Sequence, residues 1–213
     1  MKTAIIAGAS GLIGRELVSK LINSDQYGVV YIIARKKTGF EDKKIRELII
    51  DFENLSQLTF SEPIDDVFCT LGTTMKKAAS RENFKKIDYE YVIELAKLGK
   101  HAGASRFLVI SSMGANPDSI FFYNQIKGLT EEDLKRIGYN RLVILRPSLL
   151  LGKRPEYRFA ERMSAFFMNV FNFMIPLNYK AIKAEKVAEY MLKMALKSTG
   201  SVTIIKSADM QRG

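Results

Sequence analysis

Short apolar runs recur along the chain at residues 4–7, 29–34, 48–50, 64–71, 107–110, 142–145 and 202–205, each suited to a buried strand. Between several of them lie segments whose apolar residues return at helical spacing. Ile13, Leu17 and Leu21 stand at intervals of four, with Leu12 and Val18 beside them, and predict a helix after the first run. Over 81–100, Phe84, Ile87, Tyr91, Leu95 and Leu98 mark one face, with Gly99 and Gly103 as stop signals. A last helix is expected over 183–197, with Val187, Met191 and Met194 on its face. Strands alternating with helices predict an α/β fold, a doubly wound parallel sheet. No internal repeat or low-complexity linker interrupts it.

The first strand runs into Gly8-x-x-Gly11-x-x-Gly14, which opens the first helix. Gly8 allows a sharp turn, Gly11 lets a ligand approach the main chain, and Gly14 lets the helix pack closely on the sheet. The helix start points free N–H groups and the positive end of its dipole at the loop, so the turn is a candidate phosphate cradle formed by Gly8, Ser10, Gly11, Leu12, Ile13 and Gly14. A tight strand-to-helix turn without a ligand is the alternative.

At 213 residues and 47% hydrophobic side chains, the chain can bury one substantial core and is short for two domains, so a single domain over 1–213 is expected. The one cysteine, Cys69, lies in an apolar run and reads as a buried thiol in a reducing, cytoplasmic compartment. A net charge of +10 raises nucleic acid as a partner, but the basic pairs are scattered and no recognition pattern accompanies them; no specific nucleic-acid partner is expected. A basic surface that favours an anionic cofactor is the simpler reading. Residues 153–177 break the alternation with a dense set of aromatics and methionines. They read as core packing, as a lid or wall of a substrate pocket, or as a homodimer or membrane-surface contact. The uncharged part, 163–177, falls short of the ~20 residues of a membrane span, so no transmembrane segment is expected. Metal-ligand spacing is absent from the sequence, His101 reads as a helix-end or surface residue, and Asp65-Asp66 as a turn into a strand.

Tyr123-x-x-x-Lys127 puts a phenol and an ammonium on one helix face, within reach of one reacting group. Upstream, a strand ends in Ser111-Ser112, at the edge where open parallel sheets bind ligands. A cation beside a tyrosine favours its phenolate and suits it to proton transfer, whereas an aromatic anchor and a solvated lysine are the plain alternatives. The second strand ends in Ala34-Arg35-Lys36-Lys37 where an NAD-selective site would offer a carboxylate. Arg35 and Lys36 instead suit the 2′-phosphate of NADP, or form a basic surface loop.

The glycine turn, the serine pair and the Tyr-x-x-x-Lys helix together resemble an atypical short-chain dehydrogenase/reductase. Cys69-Thr-Leu-Gly-Thr-Thr74, Lys86-Ile-Asp-Tyr-Glu-Tyr91, Ser111-Ser-Met-Gly-Ala115 and Arg146-Pro147 resemble, more narrowly, the Tat-interacting-protein-like oxidoreductases, relatives of the NmrA-like proteins. This resemblance implies a Rossmann-type fold with NADPH along the carboxyl ends of the strands and a small substrate-side insertion. It implies that Tyr123 donates and accepts the proton, that Lys127 assists it and holds the nicotinamide ribose, and that Ser111 or Ser112 orients a small carbonyl or alcohol substrate. Asp51, Phe52, Leu71, Gly72, Thr73 and Pro147 fall to the cofactor on the same grounds. Leu71-Gly72-Thr73 replaces the asparagine often found after the fourth strand, and the NmrA-like branch includes proteins that bind the dinucleotide without turnover. The resemblance therefore implies an NADPH-dependent oxidoreductase or, as the alternative, an NADP(H)-sensing regulator.

Overall fold

The computed structural model describes residues 1–152, 176–197 and 200–213. The expected lid over 153–177 lies almost wholly outside the described residues. Among the described residues, seven parallel strands form the central sheet in the order β3-β2-β1-β4-β5-β6-β9. They are β1 (Lys2–Ala7), β2 (Tyr27–Ala34), β3 (Ile45–Ile49), β4 (Asp66–Cys69), β5 (Arg106–Ile110), β6 (Arg141–Arg146) and β9 (Val202–Lys206). A short pair, β7 (Leu150–Leu151) and β8 (Ile182–Lys183), lies apart from it. Each predicted run is a strand of this sheet, with its ends moved by a few residues.

Alternation along each strand divides the core in two. In β1, Ala4 and Ile6 face one layer and Ile5 and Ala7 the other. The first layer is covered by α1 (Leu12–Ile22) and α6 (Ala184–Leu196), whose Leu17, Leu21, Val187 and Met191 are fully buried. The second is covered by α4 (Tyr91–His101) and α5 (Phe122–Ile137), through Val92, Leu95, Ala96 and Leu134.

The helix predicted over 81–100 is broken into α3 (Arg81–Lys85), a π turn (Lys86–Glu90) and α4. The extra residue in the wide turn rotates the inward face, so Ile87 and Tyr91 are only partly buried while Asp88 is fully buried. A seven-residue periodic pattern cannot reveal that slip. The helix over 183–197 is not the last, because α7 (Ser207–Arg212) follows β9. It is short and anchored by polar bonds: Gln211 Nε2 donates to the carbonyls of Leu177 (3.0 Å) and Lys180 (2.8 Å), holding the turn that leads into β8. Asp66 is more than a turn residue. Fully buried at the amino edge of the sheet, it accepts the Tyr27 hydroxyl at 2.7 Å and pairs with Lys2 and Arg106.

Burial and the Asp66 carboxylate raise the Tyr27 phenol well above the ordinary tyrosine range, and burial raises that of Tyr139, whose hydroxyl donates to Ala96 O at 2.6 Å. Both stay neutral in the folded chain while the unfolded chain ionises them near pH ~10. Their stabilising contribution is therefore complete below pH ~10 and lost progressively above it, by up to ~1.4 kcal/mol per pH unit for each. Urea unfolding at several alkaline pH values should show this decline, and Tyr139→Phe should make it shallower.

Candidate active site

The strand order reverses between β1 and β4, and the strand ends there frame a crevice. Gly8 leaves β1 with φ +90°, a conformation that side chains disfavour, and a Cβ there would lie 2.5 Å from the Thr70 main chain. A Cβ on Gly14 would lie 2.1 Å from the Gly8 carbonyl oxygen. The Gly11 N–H donates to that same oxygen at 2.9 Å. Gly11 then caps α1 without any side-chain bond, leaving the first-turn N–H groups of Leu12, Ile13 and Gly14 to the crevice. The Ile13 side chain is buried in the core, so only its main chain can serve the loop. Ser10 is exposed, and Arg15 reaches its carbonyl oxygen at 3.3 Å.

Arg35 and Lys36 are exposed at the end of β2, beside the crevice. The Tyr91 phenol, raised by burial, also feels the charges of Lys86 and Arg35. Phe52 is buried against Tyr91, with ring centroids 5.4 Å apart, while the exposed Asp51 accepts the Glu53 N–H at 3.1 Å. Phe52 thus packs into the core, and Asp51 stands at the surface.

Helix α5 carries Tyr123, Lys127 and Glu131 at successive four-residue steps. Tyr123 is half-buried and packs on Phe84, with centroids 5.3 Å apart. Lys127 is buried and pairs with Asp88, Nζ to Oδ1 2.8 Å. Burial alone would lower its pKa, but the Asp88 carboxylate and the Tyr123 phenol outweigh burial and hold it above the ordinary lysine value. Gly72 and Thr73 lie over this pair, the Thr73 N–H donating to Asp88 Oδ2 at 2.8 Å. Leu71 is partly buried, and its N–H reaches the sulfur of Cys69, whose thiol burial pushes up to about 12. Cys69 is indeed buried and free.

The two serines differ. Ser111 donates its hydroxyl to Glu131 Oε1 at 2.5 Å, and Glu131 in turn holds Arg146 through two bonds of 3.0 and 2.5 Å. The Ser112 hydroxyl is buried with no hydrogen-bond partner among the described residues. The Pro147 carbonyl oxygen accepts the Met113 N–H at 3.2 Å, tying the two strand ends together. Asp88, Ser111, Lys127, Thr130 and Glu131 also line a void of about 10 Å³, close to the space of one water molecule. Asp88 and Glu131 escaped the sequence reading. Glu131 could have been found by extending the four-residue step past Lys127, and Asp88 only by asking why an acid interrupts an apolar face.

Residues 8–197 match the model of a family described as NAD(P)H-binding. The chain belongs to that NAD(P)H-binding family. Protein HTATIP2 of Rattus norvegicus is 35% identical over 170 residues, 78% of this chain and 70% of that protein. The mitochondrial Protein FMP52 of Debaryomyces hansenii is 36% identical over 156 residues, 72% and 69% of the two chains. Among solved structures, the Bordetella bronchiseptica enzyme WbmH in complex with NAD+ superposes with a TM-score of 0.72 at 16% identity, covering 97% of this chain and 76% of that one. The UDP-glucose 4-epimerase of Thermotoga maritima gives 0.71 at 17%, covering 96% and 76%. These likenesses show the Rossmann-type fold, and the family makes the chain a nucleotide-binding protein of oxidoreductase type with a nicotinamide cofactor. The residues present fit such a group: a cradle that a Cβ would fill, first-turn N–H groups with arginines nearby, and a buried ammonium further along the same edge. Among the described residues no group of acids, cysteine and histidine could hold a metal ion, and no helix is long and apolar enough to cross a membrane.

Gly14→Ala must push α1 away from the Gly8 carbonyl. It should cost ~1–3 kcal/mol in denaturant unfolding and abolish dinucleotide binding in a fluorescence titration.

Proposed function

We propose that this protein is an NADPH-dependent oxidoreductase of the short-chain dehydrogenase/reductase type, interconverting a small carbonyl compound and its alcohol. The observation that carries the reading is the half-buried Tyr123 one helical turn from the charged, buried Lys127, on the same sheet edge as the glycine cradle. The cradle from Gly8 to Gly14 would hold the pyrophosphate, Arg35 and Lys36 the 2′-phosphate, and Leu71, Gly72, Thr73 and Pro147 the rest of the dinucleotide. When bound, the nicotinamide supplies the two-electron exchange with carbon. Tyr123 gives its phenolic proton to the carbonyl oxygen, and Lys127 beside it favours the phenolate that remains. Of the two serines, the reading favours Ser112, whose buried hydroxyl has no partner among the described residues, over Ser111, whose hydroxyl donates to Glu131.

A regulator that binds NADP(H) without turnover is the second reading, favoured by the commitment of Ser111 to Glu131. We place the protein in the cytoplasm, on its single buried thiol; the fungal relatives are named mitochondrial, and cell fractionation separates the two addresses.

NADPH should bind at least about tenfold tighter than NADH, a difference of ~1.4 kcal/mol, and Arg35→Asp should erase the preference in calorimetry. Equal affinities in the native protein would remove Arg35 from its role. Tyr123→Phe should keep NADPH affinity and lower carbonyl reduction by about 10²–10⁴-fold. Undiminished activity would defeat the mechanism, and a native protein that binds NADPH but oxidises it with no aldehyde, ketone or quinone favours the regulator.

A further inference from the structure

The π turn, the β4 loop and α5 together bury a carboxylate that the chemical steps above do not use. Asp88 is fully buried; Oδ1 lies 2.8 Å from Lys127 Nζ, and Oδ2 accepts the Thr73 N–H at 2.8 Å. Its own carbonyl oxygen lies 3.1 Å from Thr130 Oγ1, which fixes the turn against α5. An apolar side chain would fill the same space with no charge to desolvate. What the carboxylate adds is a fixed negative charge on one side of an ammonium that has three N–H donors.

Gly72 lies over the ion pair itself, slightly nearer the carboxylate than the ammonium. A Cβ built there would stand 3.4 Å from Asp88 Oδ1 and 3.8 Å from Lys127 Nζ, ordinary contact distances, and Gly72 does not adopt the left-handed backbone that favours glycine. The residue is exposed. Neither packing nor conformation therefore demands a glycine, and its effect is to leave bare main chain over the ion pair.

We propose that Asp88 is a positioning residue, holding Lys127 so that its remaining ammonium donors meet the ribose of the nicotinamide half beside Gly72, where no side chain covers the pair. The proposal rests on the cofactor reading above and adds to it a residue that acts only through Lys127. The charged and titratable groups around Lys127 are Asp88 from the π turn, Tyr123 on its own helix, Cys69 from the end of β4, and Glu131 across the shared void. Burial favours the neutral amine, and Asp88 is the chief group opposing it. Removing that charge while keeping its shape lets burial prevail, so Lys127 gives up its proton more readily as pH rises.

The test measures NADP+ and 2′,5′-ADP affinity of the full chain between pH 7 and 9 for the native protein, Asp88→Asn, Lys127→Met and the double variant. 2′,5′-ADP lacks the nicotinamide half. In Asp88→Asn, NADP+ affinity should fall by about tenfold or more, increasingly so as pH rises, while 2′,5′-ADP binds as in the native protein. In the Lys127→Met background, Asp88→Asn should change nothing. An NADP+ affinity in Asp88→Asn equal to the native one at every pH overturns the proposal. So does a parallel loss of 2′,5′-ADP, which marks a general structural role. If Asp88→Asn alone does not fold, the double variant, which removes both buried charges, decides: binding equal to Lys127→Met supports the proposal, and weaker binding overturns it. A native protein that binds neither probe defeats the cofactor reading itself, whereas native binding of both with an unaffected Asp88→Asn defeats only the role of Asp88.

Discussion

Helix α1 can begin where it does only because Gly14 presents no side chain to the Gly8 carbonyl oxygen, 2.1 Å from where its Cβ would stand. This contact sets the distance between the first helix and the sheet, and with it the crevice at the carboxyl ends of β1 and β4. Thr70, pressed against Gly8 from the other side, donates its hydroxyl to Ala7 O at 3.0 Å and holds the end of β4 in the same place. The 71–73 loop starts from that fixed point, and so lies over the Asp88–Lys127 pair. A close backbone contact at one end of the crevice thereby governs the position of the groups at the other.

Buried charge is concentrated along α5. Lys127 is paired toward the π turn and Glu131 toward β6 and Ser111, one helical turn apart on the same face. Each pair gives up hydration and recovers it only with well-formed partners. Sliding or rotating α5 would break both together, so the helix has one register in which its charges are satisfied. Tyr123, one turn before Lys127, inherits that register and is further held by its packing on Phe84. The half-exposed phenol is thus fixed in place while its hydroxyl stays at the edge. At the opposite edge of the sheet, Asp66 gathers Tyr27, Lys2 and Arg106 from separate strands, a buried charge that ties β1, β2, β4 and β5 together.

Much of this was legible in the sequence because local pattern carries it. The strand runs, the glycine turn and the Tyr123–Lys127 step depend on spacing over a few residues, and all of them stand in the structure where spacing put them. What escaped depends on contacts between distant segments. Asp88 looks like a break in an apolar face until a π turn rotates it inward, and its partner lies thirty-nine residues away. Glu131 is one charge among several on a polar helix until Arg146 and Ser111 converge on it. The serines, alike in sequence, are separated by which of them meets Glu131. Helix α7 was missed because it is short and held by Gln211 and Ser207 through polar bonds rather than by a periodic apolar face.

In the function proposed above, one continuous edge, from the glycine cradle to α5, receives a single dinucleotide with its nicotinamide beside Tyr123. A crystal structure of the NADP+ complex tests this most directly. Pyrophosphate oxygens should lie on the N–H groups of the first turn of α1, ribose hydroxyls on Lys127 Nζ, and the nicotinamide ring next to the Tyr123 hydroxyl. A dinucleotide whose nicotinamide points away from α5, with Lys127 still closed off beneath Gly72, would contradict it.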